Sequence, residues 1–400
     1  MPLMSETTLT LVQFLRDGLD PVPELARLRA EQPVSPLLIP NGPTAWLVTS
    51  YRDARAVLGD ADTFSNDFAN LMGGGAGGPT EDQDPGGLGM ADPPKHTRLR
   101  KMLTAEFTAK RLRELEPRIT AVVDECLDDT VTAGAGGDPV DLVRTFAHPI
   151  PSLVICELLG VPADERADFQ RISNNRFDVS GAPGGGLDAI GESLNYLGGL
   201  VSRQRAEPGD GLLGRLVREH GDNLTDRELA GLADGLLTGG HDTTASMLAL
   251  GTVLILGNPD YRAAALDPAR IGGLVDELLR YISVVQVAFP RWARRDTEIA
   301  GQRIGAGDMV ICSLSGANRD VELGPDMERV DPDRTIKPHL AFGFGIHHCV
   351  GAQLARREMA IAYPALLRRF PTLRLAVPAE ELAYRPFSIV YGVGSLPVAW

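Results

Sequence analysis

The chain has 400 residues, 44% of them hydrophobic and 23% charged, a globular balance that argues against disordered, collagen-like and disulfide-scaffold classes. Its net charge of −14, from 39 basic and 53 acidic residues, speaks against nucleic-acid binding and against adhesion to anionic membranes. Cys126, Cys156, Cys312 and Cys349 are scattered with no CxxC, which argues against a disulfide framework or a zinc ribbon.

Residues 1–20 lack a basic start followed by an apolar run, so no secretory signal is expected and the cytoplasm is the expected compartment. A strand is expected over Ala45–Thr49. The segment 73–89, GGGAGGPTEDQDPGGLG, is too rich in glycine and proline for a regular element, and 180–186 repeats that character; both read as mobile surface loops that can gate a site. Residues 92–100 open a basic helix, and Ala105–Ala133 is an amphipathic one. Pro149–Leu159, Asp164–Phe177 and Leu187–Arg205 follow as helices. Thr225-x-x-Glu228 is a capping box, and the helix it opens runs past thirty residues to Leu256. Asp234, His241 and Asp242 interrupt its apolar stretch, so it reads as a core helix and not a membrane span. Arg270–Tyr281 is a further helix. Strands are expected over Glu298–Ile304, Met309–Leu314 and Ser388–Ala399, the last folding as a hairpin around Gly392–Ser395. The expected architecture is mainly α with a smaller β portion, in a single domain over residues 1–400.

The richest segment chemically is Ala341–Arg356, AFGFGIHHCVGAQLAR. It holds Phe342-x-x-Gly345-x-x-x-Cys349-x-Gly351. Glycines let the backbone turn tightly and approach a flat ligand. A cysteine just before a helix start has its thiolate favoured by the helix N-terminus, and a thiolate so placed can ligate heme iron. On these residues alone two other readings stay open: a buried structural cysteine, or a zinc site drawing on His347, His348 and Cys349, whose adjacency suits a tetrahedron poorly.

The segment resembles the heme-binding loop of the cytochrome P450 superfamily, most closely its soluble bacterial members. Three further segments match that family in order. Gly239-Gly240-His241-Asp242-Thr243, mid-way along the long helix, resembles the oxygen-activation motif; standing alone it reads first as a helix contact through small residues. Glu277-Leu278-Leu279-Arg280 places a carboxylate and a guanidinium one turn apart. His96 and Arg100, one turn apart, can face the same anion.

The resemblance implies a heme b cofactor between the long central helix and the cysteine loop. Cys349 would be its axial iron ligand, and His96, Arg100, Arg291 and His347 would hold its propionates. Asp242 and Thr243 would relay protons for oxygen activation. Glu277, Arg280 and Arg334 would form a structural ion-pair network, with Phe342 shaping the cysteine loop. The implied reaction is a monooxygenation, hydroxylating or epoxidising a largely apolar small molecule, free or tethered to a carrier protein, in the style of natural-product or antibiotic biosynthesis. The alternative is a heme-thiolate protein that inserts no oxygen: a peroxide-dependent oxidase, an aryl-coupling enzyme or a ligand sensor.

Gly235, Gly239, Val285 and Ile389 are the candidate pocket positions, joined by the two glycine-rich loops. No flavin or nicotinamide fingerprint is present, so electrons would come from a ferredoxin and its reductase. From Lys95 to Arg113 seven Lys or Arg residues face one acid, Glu106, a candidate docking face for an acidic partner.

Overall fold

The capping box forms as the sequence predicts. Thr225 Oγ1 accepts from Glu228 N at 3.1 Å, and Glu228 Oε2 accepts from Thr225 N at 3.0 Å, an arrangement that satisfies two orphan amides and contributes about 1 kcal/mol. The helix it opens is 32 residues long, Asp226–Gly257, or about 48 Å. The computed structural model describes residues 12–39, 43–67, 87–169, 171, 185–335, 338–385 and 387–400. Most of the 73–89 loop and residues 180–184 of the second loop lie outside the described residues.

In chain order the helices that frame the site are α1 (Tyr51–Gly59), α2 (Lys95–Thr104), α3 (Ala109–Ala133), α4 (Pro149–Leu159), α5 (Gly185–Ala206), α6 (Asp226–Gly257), α7 (Ile271–Ile282) and α8 (Ala352–Arg369). The expected helix from Ala105 starts later. Ala105–Phe107 is a short 3-10 turn, and Thr108 takes the N-cap by accepting from Arg111 N. The expected Asp164–Phe177 helix begins as a 3-10 turn over Ala163–Glu165, and residues 170 and 172–177 are not described.

Helix α6 packs against α4, α5 and α8. Leu229, Leu232, Ala233 and Leu237 bury one half of it, and residues 244–253 the other. Between them Gly235, Thr238 and Gly239 are exposed, at one-turn spacing on a single stripe. The mid-helix glycines therefore keep one face of a core helix bare.

Five strands form the main sheet: β1 (Val34–Leu37), β2 (Ala45–Val48), β3 (Phe64–Ser65), β5 (Arg291–Ala293) and β8 (Met309–Cys312), with β4 (Val140–Asp141), the hairpin β6 (Thr297–Ile299) and β7 (Gln302–Ile304), β9 (Arg374–Leu375) and β10 (Pro397–Ala399) outside it. The sheet order is β1-β2-β8-β5-β3, with only the β2–β8 pair parallel.

The expected C-terminal hairpin does not form. Val390 bridges to Val285 and Val393 to Tyr384, while β10 pairs with β9 and β4. Burial explains the choice: Leu396 and Val398 are fully enclosed in the helical core, and a local hairpin would leave them outside it.

Three hydrophobic clusters result among the described residues. One runs through the helices; a second lies between the main sheet and α1, around Tyr51, Ile304, Val310 and Leu340; a third packs Val12, Leu25 and Leu28 against Leu37, Leu47 and Ile311 of the sheet. The cysteine loop straddles the first two, with Phe342 against the first and Phe344 against the second. No described helix is long and apolar enough to cross a membrane.

Candidate functional site

Gly343 and Gly345 adopt left-handed backbone, φ 69° and 74°. A Cβ on Gly345 would sit 2.3 Å from Leu58 O of α1, so only glycine lets the loop lie this close. The loop closes when Cys349 N donates to Phe342 O at 2.9 Å, and α8 starts three residues later. Arg356 of α8 lies over the Phe342 ring at 4.6 Å and binds Asp276 at 2.6 Å.

Cys349 differs from the other cysteines. Cys126, Cys156 and Cys312 are buried, and burial pushes each thiol up to about 12. Cys349 has accessible surface, although protein atoms crowd around its thiol. Burial pushes this thiol up too, against the pull of the Gly351 and Ala352 amides and the charges of Arg100 and Arg356. The helix N-terminus acts as the sequence suggests, but burial outweighs it; a metal is what would remove the proton.

Beside the thiol the structure gathers four basic groups. His96 and His347 have ring centroids 4.2 Å apart. Both nitrogens of His96 and Nε2 of His347 are buried without a hydrogen-bond partner. Burial first, then the charges of Arg291, His96 and Arg100, push His347 down to about 3. Burial also lowers His96, Arg100 and Arg291. Buried donors and cations without an anion form a site that takes one. The two propionates of a heme, beside a sulfur ligand, fit that donor set. A zinc site does not: among the described residues no three His, Cys, Asp or Glu side chains gather as a metal cluster.

The structure brings Glu277, Arg280 and Arg334 together in hydrogen-bonded ion pairs. Arg280 donates to both oxygens of Glu277 at 2.8 and 2.9 Å, and Arg334 Nε donates to Glu277 Oε2 at 3.1 Å. Arg280 ties down the carbonyls of Asn318, Met327 and Arg329 as well, pinning the segment that leads into the cysteine loop.

Asp242 and Thr243 are neighbours but do not bond to each other. Thr243 Oγ1 donates back to Gly239 O at 2.7 Å, one turn earlier, as a helix threonine does. Asp242, nearly buried, is held by Arg385, whose Nη1 lies 3.0 Å from Oδ1 and whose Nη2 lies 3.3 Å from Oδ2. Arg385 Nη2 also donates to Ser246 Oγ at 2.7 Å. Arg385 was invisible in the sequence, because the contact spans 143 positions and no local spacing announces it.

A Cβ on Gly235 or Gly239 would meet nothing within 4 Å, so both face open space. Val285 and Ile389 come together across the chain: Gln286 N donates to Ile389 O at 3.1 Å, and Val285 bridges Val390. Ile389 is 60% exposed, an apolar side chain left uncovered on that wall.

The cytochrome P450 family profile matches residues 273–380. Cytochrome P450-SU2 of Streptomyces griseolus is 42% identical over 95% of this chain and 94% of its own. Mycinamicin IV hydroxylase/epoxidase of Micromonospora griseorubida is 38% identical over 96% of each chain. The crystal structure of OxyC, a P450 implicated in an oxidative C–C coupling reaction during vancomycin biosynthesis, superposes with a TM-score of 0.87 at 40% identity, covering 97% of this chain and 96% of its own. The chain belongs to the cytochrome P450 family. It is a heme-dependent oxidoreductase, of a family that takes electrons from redox partners.

Proposed function

We propose that the chain, as one heme domain, is a cytoplasmic monooxygenase that hydroxylates or epoxidises a largely apolar small molecule in bacterial natural-product biosynthesis. One observation carries the reading: the His96 ring and Nε2 of His347, buried without hydrogen-bond partners, converge with Arg100 and Arg291 beside Cys349, which has accessible surface. Cys349 is the iron ligand, and the four basic residues hold the propionates. Bound there, the heme supplies oxygen activation, one atom going to substrate and the other to water with two electrons.

Asp242 and Thr243 move the protons. Their separate hydrogen bonds mean that the carboxylate must turn from Arg385, or act through water, to reach the hydroxyl. Glu277, Arg280 and Arg334 hold the cysteine loop in register, and Phe342 packs beneath it. Gly235 and Gly239 leave room above, and Val285 and Ile389 line an apolar wall.

Ferredoxin is the electron donor we propose, docking near α2 and the start of α3. The charge offered there is smaller than a count of basic residues suggests. Arg98 pairs with Glu228, and Lys110 and Arg111 share Glu114. Lys101 and Arg113 stay exposed without an ion pair among the described residues, and they are the candidate steering charges.

An oxidative coupling reaction is the second reading, favoured by the OxyC likeness. The first test is the carbon monoxide difference spectrum of the reduced protein, wild type against Cys349→Ala. A strongly red-shifted Soret band in wild type, lost in the variant, is the expected result. A wild-type band typical of histidine ligation overturns Cys349 as the ligand.

A further inference from the structure

Arg291 begins β5 and is 4% exposed. Its Nη1 is held by three neutral oxygens: Asn66 Oδ1 at 2.6 Å, Phe289 O at 2.8 Å and Pro290 O at 3.5 Å. Among the described residues its Nε and Nη2 make no hydrogen bond. A guanidinium anchored at one nitrogen has its orientation set, because its five donors lie in one rigid plane.

Sheet register puts Asn66 in place. Phe64 pairs with Ala293 and Ser65 with Trp292 in the antiparallel β3–β5 ladder, so the next residue along β3 falls opposite Arg291. The Asn66 amide has no freedom to turn over. Its Nδ2 donates to Gly89 O while its Oδ1 accepts from Arg291, and a flip would set donor against donor and acceptor against acceptor. Its backbone N–H donates to Asp92 Oδ1 at 2.9 Å.

Asp92 is the carboxylate that might have neutralised Arg291, and it is engaged elsewhere. It accepts from Ser65 Oγ at 2.5 Å and pairs with Arg294. Its carbonyl accepts from His96 N at 2.9 Å, which joins this cluster to the helix that carries His96. Asp92 forms its ion pair with Arg294 and reaches Arg291 only as a through-space charge, while Arg291's hydrogen bonds go to the neutral oxygens of Asn66, Phe289 and Pro290. Arg291 is oriented without a direct anionic partner, which an acid at position 66 would supply.

We propose that Asn66 is a positioning residue for cofactor binding. By accepting from Nη1 with a neutral oxygen, it aims the remaining N–H edge of Arg291 into the basic cradle and leaves that charge for a heme propionate. The inference rests on Arg291 being a propionate ligand.

The test compares heme transfer from the holoprotein to excess apomyoglobin, and the reduction potential, in wild type, Asn66→Asp, Asn66→Ala and Arg291→Gln. Arg291→Gln loses a charge-assisted contact and releases heme about tenfold faster or more. Asn66→Asp sets a carboxylate against the guanidinium; it speeds release by a similar factor and lowers the potential, with the carbon monoxide Soret band unchanged. Asn66→Ala removes the anchor without adding charge and speeds release a few-fold; it carries the test if the aspartate variant does not fold. Wild-type release rates and potentials in the Asn66 variants, beside fast release in Arg291→Gln, overturn the role of Asn66. A wild-type release rate in Arg291→Gln overturns instead the assignment of Arg291 on which it rests.

Discussion

Glu277 on α7 and Asp242 on α6 are both nearly buried carboxylates answered by arginine, on the cysteine side and the long-helix side of the site. Glu277 accepts four hydrogen bonds from three residues: two from Arg280, one from Arg334 and one from Asp331 N. Arg280 is fully buried and spends all five of its N–H donors, two on Glu277 and three on backbone carbonyls. Asp242 accepts two bonds from one arginine, at 3.0 and 3.3 Å. That arginine is 27% exposed at its side chain, and its buried Nε has no partner. The first pair is a joint that fixes backbone; the second is a contact that can open. A joint suits the loop proposed to carry the iron ligand, and a contact that opens suits the proposed proton carrier.

Breaking the joint has the largest expected effect. Glu277→Gln leaves the Arg280 charge buried with no anion, a change that costs about 3–5 kcal/mol. Chemical denaturation should show that loss, together with failure to retain heme. The pair also sets a pH dependence. Burial alone would raise Glu277, but the hydrogen bonds and charges of Arg280, with Asp331 N and Arg334, hold it below its ordinary 4.5. A depressed carboxylate contributes its stability in full above 4.5 and loses it as pH falls through the lowered value. Wild type should therefore weaken below pH 4.5 by a component that Glu277→Gln lacks. A denaturation midpoint unchanged by the substitution would erase the contrast drawn above.

The two pairs also differ in how far they could be read from sequence. Glu277 and Arg280 sit one helical turn apart, so period alone pairs them; Arg334 entered only through resemblance. Arg385 and Asn66 have partners 143 and 225 positions away, and no local pattern carries such a contact. The same limit explains the missing hairpin. Gly392 looks like a turn glycine, but a Cβ there would sit 2.4 Å from Arg385 Nη2 and 2.6 Å from Ser246 Oγ. It is small to admit an arginine, which is a tertiary reason. The capping box at Thr225 was legible because both of its bonds lie within four residues.

Opening the second pair has an intermediate effect. Asp242→Asn should lower kcat by about a hundredfold, the scale of a general acid–base contribution. If Arg385 acts through Asp242, Arg385→Gln changes the solvent isotope effect on kcat, and the double variant behaves as Asp242→Asn alone. Gly392→Ala sharpens this further, since it displaces the arginine without altering any charge and should move the isotope effect the same way. Additive losses in the double variant would make Arg385 a wall residue with no part in proton transfer.

A third carboxylate extends the series to its limit and carries the smallest effect. Glu358 lies on α8, nine residues beyond Cys349 in the sequence, and it is 4% exposed. Its Oε2 has no partner, and burial alone pushes the group up to about 8. A carboxyl raised in the folded state costs nothing below its ordinary 4.5, where both states are protonated. Between 4.5 and about 8 the unfolded chain ionises and the folded one does not, so stability falls as pH rises by at most about 1.4 kcal/mol per unit, and the loss levels off above that range. Glu358→Gln removes the titration. Its melting temperature should exceed that of wild type by about 4 °C near pH 7, with the gap closing as pH falls toward 4.5. A gap that stays constant across that range would mean that Glu358 is ionised in the fold, and the series from lock to loose contact to lone acid would lose its last member.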